Sequence, residues 1–190
     1  MNARSWLLPI LAMLGACNMV ISETPMFAES DRADVAPKDG IWLASQKDCD
    51  FDASLPEAKW PECALWVVVR NSGHEMLLSD GKGQSQHVGT LVAAGTPLVV
   101  QARWVDDAKD DGAIHYVFYA LEWKEPGSSG SATASTWAVQ CGIQSDSDIR
   151  PFPGISAECR PSSKDAIRSA ATASQRNELM TLRWLRAEAR

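Results

Sequence analysis

Five cysteines, three histidines and one acidic cluster are the side chains of this 190-residue sequence that could do chemistry. Cys17 stands apart near the N-terminus. The other four, Cys49, Cys63, Cys141 and Cys159, follow one another at intervals of 14, 78 and 18 residues. A zinc site draws its thiolates from closely spaced pairs such as Cys-x-x-Cys, and no such pair occurs. The four thiols read as structural, and no metal is assigned to them. An even number of cysteines in an exported chain implies a disulfide framework, here with three possible connectivities. The local pairing, Cys49–Cys63 and Cys141–Cys159, is the expected one, because each closes a short loop in a turn-rich stretch. Closing the first loop is worth about 3 kcal/mol in the chain-entropy treatment.

The remaining candidates are weaker. A Ser-His-Asp hydrolase would need His74, His87 or His115. Each is remote in sequence from a nucleophile motif, and Gly127-Ser128-Ser129-Gly130-Ser131 misses the Gly-x-Ser-x-Gly elbow by register. Asp106, Asp107, Asp110 and Asp111 offer oxygens to calcium but lack the alternating spacing and closing acidic ligand of a calcium loop; a solvated hairpin tip accounts for them. Gly81-Lys82-Gly83-Gln84-Ser85-Gln86 starts like a phosphate loop, yet has Gln86 in place of its third glycine and no strand–turn–helix context. No catalytic residue and no cofactor is assigned, and the chain is expected to bind rather than catalyse.

Before these residues the sequence carries an address. Arg4 precedes the apolar run Trp6-Leu7-Leu8-Pro9-Ile10-Leu11-Ala12-Met13-Leu14, the pattern of a secretory signal peptide over residues 1–16. That run is too short to span a bilayer core, which needs roughly 20 helical residues. Leu14-Gly15-Ala16-Cys17 resembles the lipobox of bacterial lipoproteins: an aliphatic residue, two small residues, then cysteine. The resemblance covers residues 1–17 alone. It implies that the Cys17 thiol takes a diacylglyceryl group, that the peptide is cut before it, and that the new amino terminus is acylated. It places the protein on the periplasmic side of the cell envelope, its membrane partner reached through the lipid on Cys17. Asn18 is not the Asp that resembles an inner-membrane retention signal, so the outer membrane is favoured.

Residues 17–39, rich in Ser, Thr, Pro, Asp and Glu, read as the lipidated N-terminus and a flexible tether. Residues 40–160 read as a disulfide-stapled β-rich domain. Apolar, β-branched runs at 40–44, 64–70, 75–79, 97–105, 114–123 and 136–141 alternate with turn chemistry. In the fourth run Leu98, Val100, Ala102 and Trp104 share one face opposite Gln101 and Arg103, and it forms a long hairpin with the fifth. Residues 161–190 contain no Gly and no Pro after Pro161, and read as a C-terminal basic helix capped by Ser162 or Ser163. The expected fold is α+β: a mainly antiparallel sheet, sandwiched or curled, with a C-terminal helix. Tryptophans 42, 60, 66, 104, 123 and 137 fill its core or mark a ligand groove.

The net charge of −6 gives no basic face for nucleic acid. Basic residues nonetheless concentrate after residue 160. Either the basic helix packs on its own acidic sheet, or it meets an acidic envelope partner or lipid around Trp184. The expected function is a lipid-anchored binding or accessory module of the envelope. The alternatives are an exported hydrolase with a dispersed site, and an inhibitor or small-ligand binder using the Trp-rich sheet.

Overall fold

A computed structural model describes residues 18–35, 37–44, 49–61, 63–79, 85–105, 114–124, 132–145, 148–174 and 180–188. The chain forms β1 (Ile21–Ser22), β2 (Gly40–Ala44), β3 (Trp66–Arg70), β4 (Glu75–Ser79), β5 (Ser85–Ala93), β6 (Leu98–Val105), β7 (Ile114–Lys124), β8 (Thr133–Ala138), β9 (Gly142–Ser145), β10 (Asp148–Pro151), α1 (Lys164–Ala173) and β11 (Met180–Arg186). The strands pair antiparallel in the order β7-β6-β5-β4-β3-β2-β11-β8, and β8 pairs back onto β7. The curled sheet is thus an eight-stranded closed barrel. The right-handed twist of each strand accumulates around the sheet, and closure removes the edges that an open sheet would expose.

Strand alternation separates two apolar sets. Val99, Phe118, Ala120 and Trp137 cluster with Ile167, Ala170 and Ala171 of α1 and with Val20 and Phe27 of the N-terminal segment. A helix cannot enter so narrow a barrel, so this is the outer face. Val92, Val100, Leu121, Ala134 and Trp42 form the second cluster, joined by Val67, Met76, Tyr119, Leu182 and Trp184, and this is the lumen side. The face of Leu98, Val100, Ala102 and Trp104 read from β6 points inward. Gln101 points outward, buried beneath the N-terminal segment, where its Oε1 accepts from the N–H groups of Met26 and Phe27 at 2.7 and 2.9 Å. Its Nε2 donates to the Phe27 carbonyl at 3.1 Å.

Two expectations are corrected here. Residues 18–39 are not a free tether. Val20 donates its N–H to Val139 O, β1 pairs with Val117 and Tyr116, and Arg32 bridges to Ala93. Val20, Phe27 and Ala33, isolated apolar residues in this polar stretch, each find a site on the barrel, so no regular periodicity advertises the docking. Residues 161–190 are not one helix either. α1 ends at Ala173, and Met180–Arg186 is the strand that closes the barrel between β2 and β8. Barrel closure outweighs the small propensity differences that favour helix. The inward alternation of Leu182 and Trp184 around Arg183 supplies the side chains that the seam needs.

The cap of α1 is Ser163, whose hydroxyl accepts from the Ala166 N–H at 3.1 Å. Its small residues let the helix backbone approach the wall closely enough for the Trp137 indole to donate to Ala171 O. The disulfides join Cys49 to Cys63 and Cys141 to Cys159, with Cα separations of 5.7 and 4.9 Å. The first staples the segment that Arg186 grips through Ala53 O, Leu55 O and Glu57. The second fastens the chain after β8 to the turn before α1. Basic residues after 160 pair internally with acidic ones, Lys164 with Asp31, Arg160 with Glu23 and Arg186 with Glu57.

Candidate functional site: the rim and lumen of the barrel

The residues of the barrel divide it along its axis. At the end where β3 turns into β4, residues 31–35 and 37–39 lie across the opening. Ala33 N–H donates to Val92 O, and Ala94 N–H to Asp31 O. Trp42 and Trp184 face each other across the β2–β11 seam, their indole N–H groups donating to Lys38 O and Asp39 O. The Lys38 ammonium sits 3.5 Å from the Trp184 ring centroid. Trp184 therefore lies on a strand and is engaged by the covering segment. It is not on the helix through which a partner was expected to bind.

The opposite end is different. There β6 and β7 end in register, Trp104 opposite His115 and Val105 opposite Ile114. Met180 opens β11 at this end, pairing with Thr136. Trp104, Ile114 and Met180 are 38%, 38% and 40% exposed, a concentration of large apolar side chains at one rim. By strand parity Trp104, His115 and Met180 point to the lumen, while Ile114 lies on the outside. Below the rim the inward positions are small: Ala44, Ala102, Val117 and Ala138. The bulky Trp42 and Leu121 come deeper.

Burial is uneven on both faces of the barrel. Outward-facing Val99, Phe118 and Ala120 are completely buried by α1 and the N-terminal segment. Inward-facing Val67, Met76, Val117, Tyr119, Ala138 and Leu182 keep partial exposure. A side chain that points into a closed barrel reaches solvent only through the lumen, so the lumen is accessible. Eight strands are enough either to be filled by side chains or to hold one small ligand. At the rim, inward-facing Trp104 and Met180 are the most exposed of these large side chains. Burial pushes the Tyr119 phenol above its ordinary pKa, keeping it a neutral hydrogen-bonding group within an apolar wall. The His115 Nδ1 is buried and has no hydrogen-bond partner among the described residues.

The sequence candidates are scattered rather than convergent. His74 lies in the turn at the covered end, with Nδ1 against the Arg32 guanidinium. His87 is on β5, opposite Leu77, and His115 is at the rim. Cys17, Asp106, Asp107, Asp110, Asp111, residues 81–84 and residues 127–131 lie outside the described residues. Among the described residues no three His, Cys, Asp or Glu side chains are grouped to hold a metal. No described helix is long and apolar enough to cross a membrane. The predicted tryptophans divide by role: Trp42 is inside, Trp137 outside under α1, Trp104 at the rim, and Trp60 in the stapled segment against Phe51. Met180 was hidden by the helical reading of its segment, although the alternation from 180 to 186 carried the signal. Tyr119 was hidden because a period-2 pattern does not say which face is the wet one. No family model, curated protein or solved structure matches the chain.

Proposed function

We propose that this protein is a binding module of the bacterial cell envelope, anchored by lipid on Cys17 on the periplasmic side, with the outer membrane favoured. Its barrel takes a small, mainly apolar ligand through the Trp104–His115 rim. The observation that carries this reading is the partial exposure of inward-facing Val67, Met76, Val117, Tyr119, Ala138 and Leu182 in a closed barrel. Sites for small molecules are concave and mostly apolar, with a few polar groups that set orientation. Tyr119 and His115 are such groups in an otherwise apolar wall. The lipobox-like Leu14-Gly15-Ala16-Cys17 and the two disulfides support the compartment.

The test is a titration of single-chain fatty acids, aromatic alcohols and sugars into the purified protein, read by tryptophan emission. Apolar ligands should give a saturable change. Ala138→Trp, which places bulk in the lumen at a small inward position, should abolish it while preserving a cooperative thermal transition. A flat response of the unaltered protein across all three classes would overturn the small-ligand reading.

A further inference from the structure

We infer that the β9–β10 hairpin is a membrane-contact element, its Ile143–Arg150 face lying in the headgroup layer of the phospholipid bilayer that carries the anchor. The inference rests on the lipid-anchor reading of Cys17 and is independent of ligand binding in the lumen.

The argument begins with Asn18, the residue that follows the anchor cysteine. Asn18 is buried, and its side chain grips β9 at both ends of one peptide group's neighbourhood: Nδ2 donates to Gly142 O and Gly142 N–H donates to Oδ1, each at 3.2 Å. Cys141 N–H donates to Asn18 O at 3.0 Å, and Met19 bridges to Gln140. Asn18, one peptide bond after the lipidated residue, is therefore itself fastened to the folded domain. Consecutive Cα atoms are 3.8 Å apart, so a lipid-bearing sulfur at position 17 lies within about 7 Å of the Asn18 Cα. The headgroup layer on each side of a bilayer is of similar thickness, roughly 5–8 Å. A diacylglyceryl group seated in the bilayer thus brings Gly142 and the strands around it to the headgroups. No slack remains for the barrel to stand off.

The hairpin is chemically suited to that position. Ile143 follows Gly142 and is 47% exposed, a large apolar side chain with solvent on it. Arg150 is its cross-strand partner, on the same face and exposed. An aliphatic residue beside an arginine matches the boundary between acyl chains and phosphates. Asp148, one same-face pair nearer the hairpin tip, is the acidic residue among those described on this face. Ile149, on the other face, packs against the outer apolar cluster, so the hairpin is braced on the barrel. The consequence is a fixed orientation: the flank carrying β9 and β10 faces the membrane.

The experiment uses full-length protein processed in cells, extracted from membranes and reconstituted into phosphatidylethanolamine–phosphatidylglycerol vesicles. Amide hydrogen exchange is compared with the Cys17→Ser form free in solution. Peptides covering 142–151 should exchange at least threefold more slowly on vesicles, while a peptide around the exposed Val35 should not change. The double variant Ile143→Asp, Arg150→Glu, altering two exposed side chains, should lose the slowing and keep its unfolding midpoint. Equal exchange over 142–151 in both states, with mass spectrometry showing lipid on Cys17, would overturn the contact alone. An unmodified Cys17 peptide would overturn the contact and the anchor together.

Discussion

Replacing Gln101 should detach the N-terminal segment from the barrel. This side chain is 5% exposed and makes three hydrogen bonds to the backbone of Met26 and Phe27. Gln101→Ala removes all three. Each buried backbone group left unpaired costs about 1–3 kcal/mol, which sets a raw penalty of roughly 3–9 kcal/mol. The upper part of that range is unreachable, because the segment can lift off and rehydrate instead. Lifting sacrifices the burial of Phe27 and Val20, about 1.5–3 kcal/mol each. The expected loss is therefore about 3–5 kcal/mol, with the segment partly released. Urea unfolding with the disulfides intact measures the loss, and hydrogen exchange over residues 20–33 shows whether the segment has come away. Gln101→Met, of similar volume but without the polar atoms, should behave like the alanine variant and thereby separate hydrogen bonding from cavity formation. A loss below about 1 kcal/mol with unchanged exchange would refute the clamp.

Four further outcomes follow from the same structure. Gly142→Ala should unseat the hairpin, since an added Cβ would meet Arg150 O at 2.0 Å; loss of protection over 142–151 checks it. Ser163→Ala should cost about 1 kcal/mol by removing the helix cap, measured as a shift in urea midpoint. The Lys164 ammonium beside Asp31 holds that carboxyl below its ordinary range. A depressed carboxyl pKa contributes stability above its unfolded value near 4, lost as pH falls through the lower folded value. Acid should accordingly loosen the 29–33 segment, and Lys164→Met should flatten that pH dependence below pH 4. Tyr119 should ionise later than an ordinary phenol, because burial disfavours its charged form. Tyr119→Phe should remove the highest-pH part of an alkaline absorbance titration.

The β6–β7 hairpin was readable because its strands are long and rich in β-branched and aromatic residues with a polar stretch between them, and the two pair antiparallel along their length. The local disulfide pairing was readable from loop length. β5 escaped notice because its first half is polar and Gly89 interrupts it, so its partners rather than its own residues make it a strand. β11 escaped because Met, Leu and Arg favour helix locally, while the deciding term is the seam between β2 and β8. The rim was invisible for a related reason. Trp104 and His115 meet across the β6–β7 hairpin, but Met180 comes from a distant part of the chain, and only closure of the sheet brings it to the same opening.

That closure has a consequence for how the protein is made. β2 is the first barrel strand in the chain and β11 the eighth, and they are hydrogen-bonded neighbours. Until β11 has been delivered, β2 and β8 present unpaired backbone along their length, a template for other chains in a crowded compartment. The seam is also among the most non-local contacts in the fold, the class that forms slowly. A chain interrupted before residue 180 therefore has two reactive borders, β2 and β8. Any factor that binds unpaired strands distinguishes finished from unfinished copies by those borders.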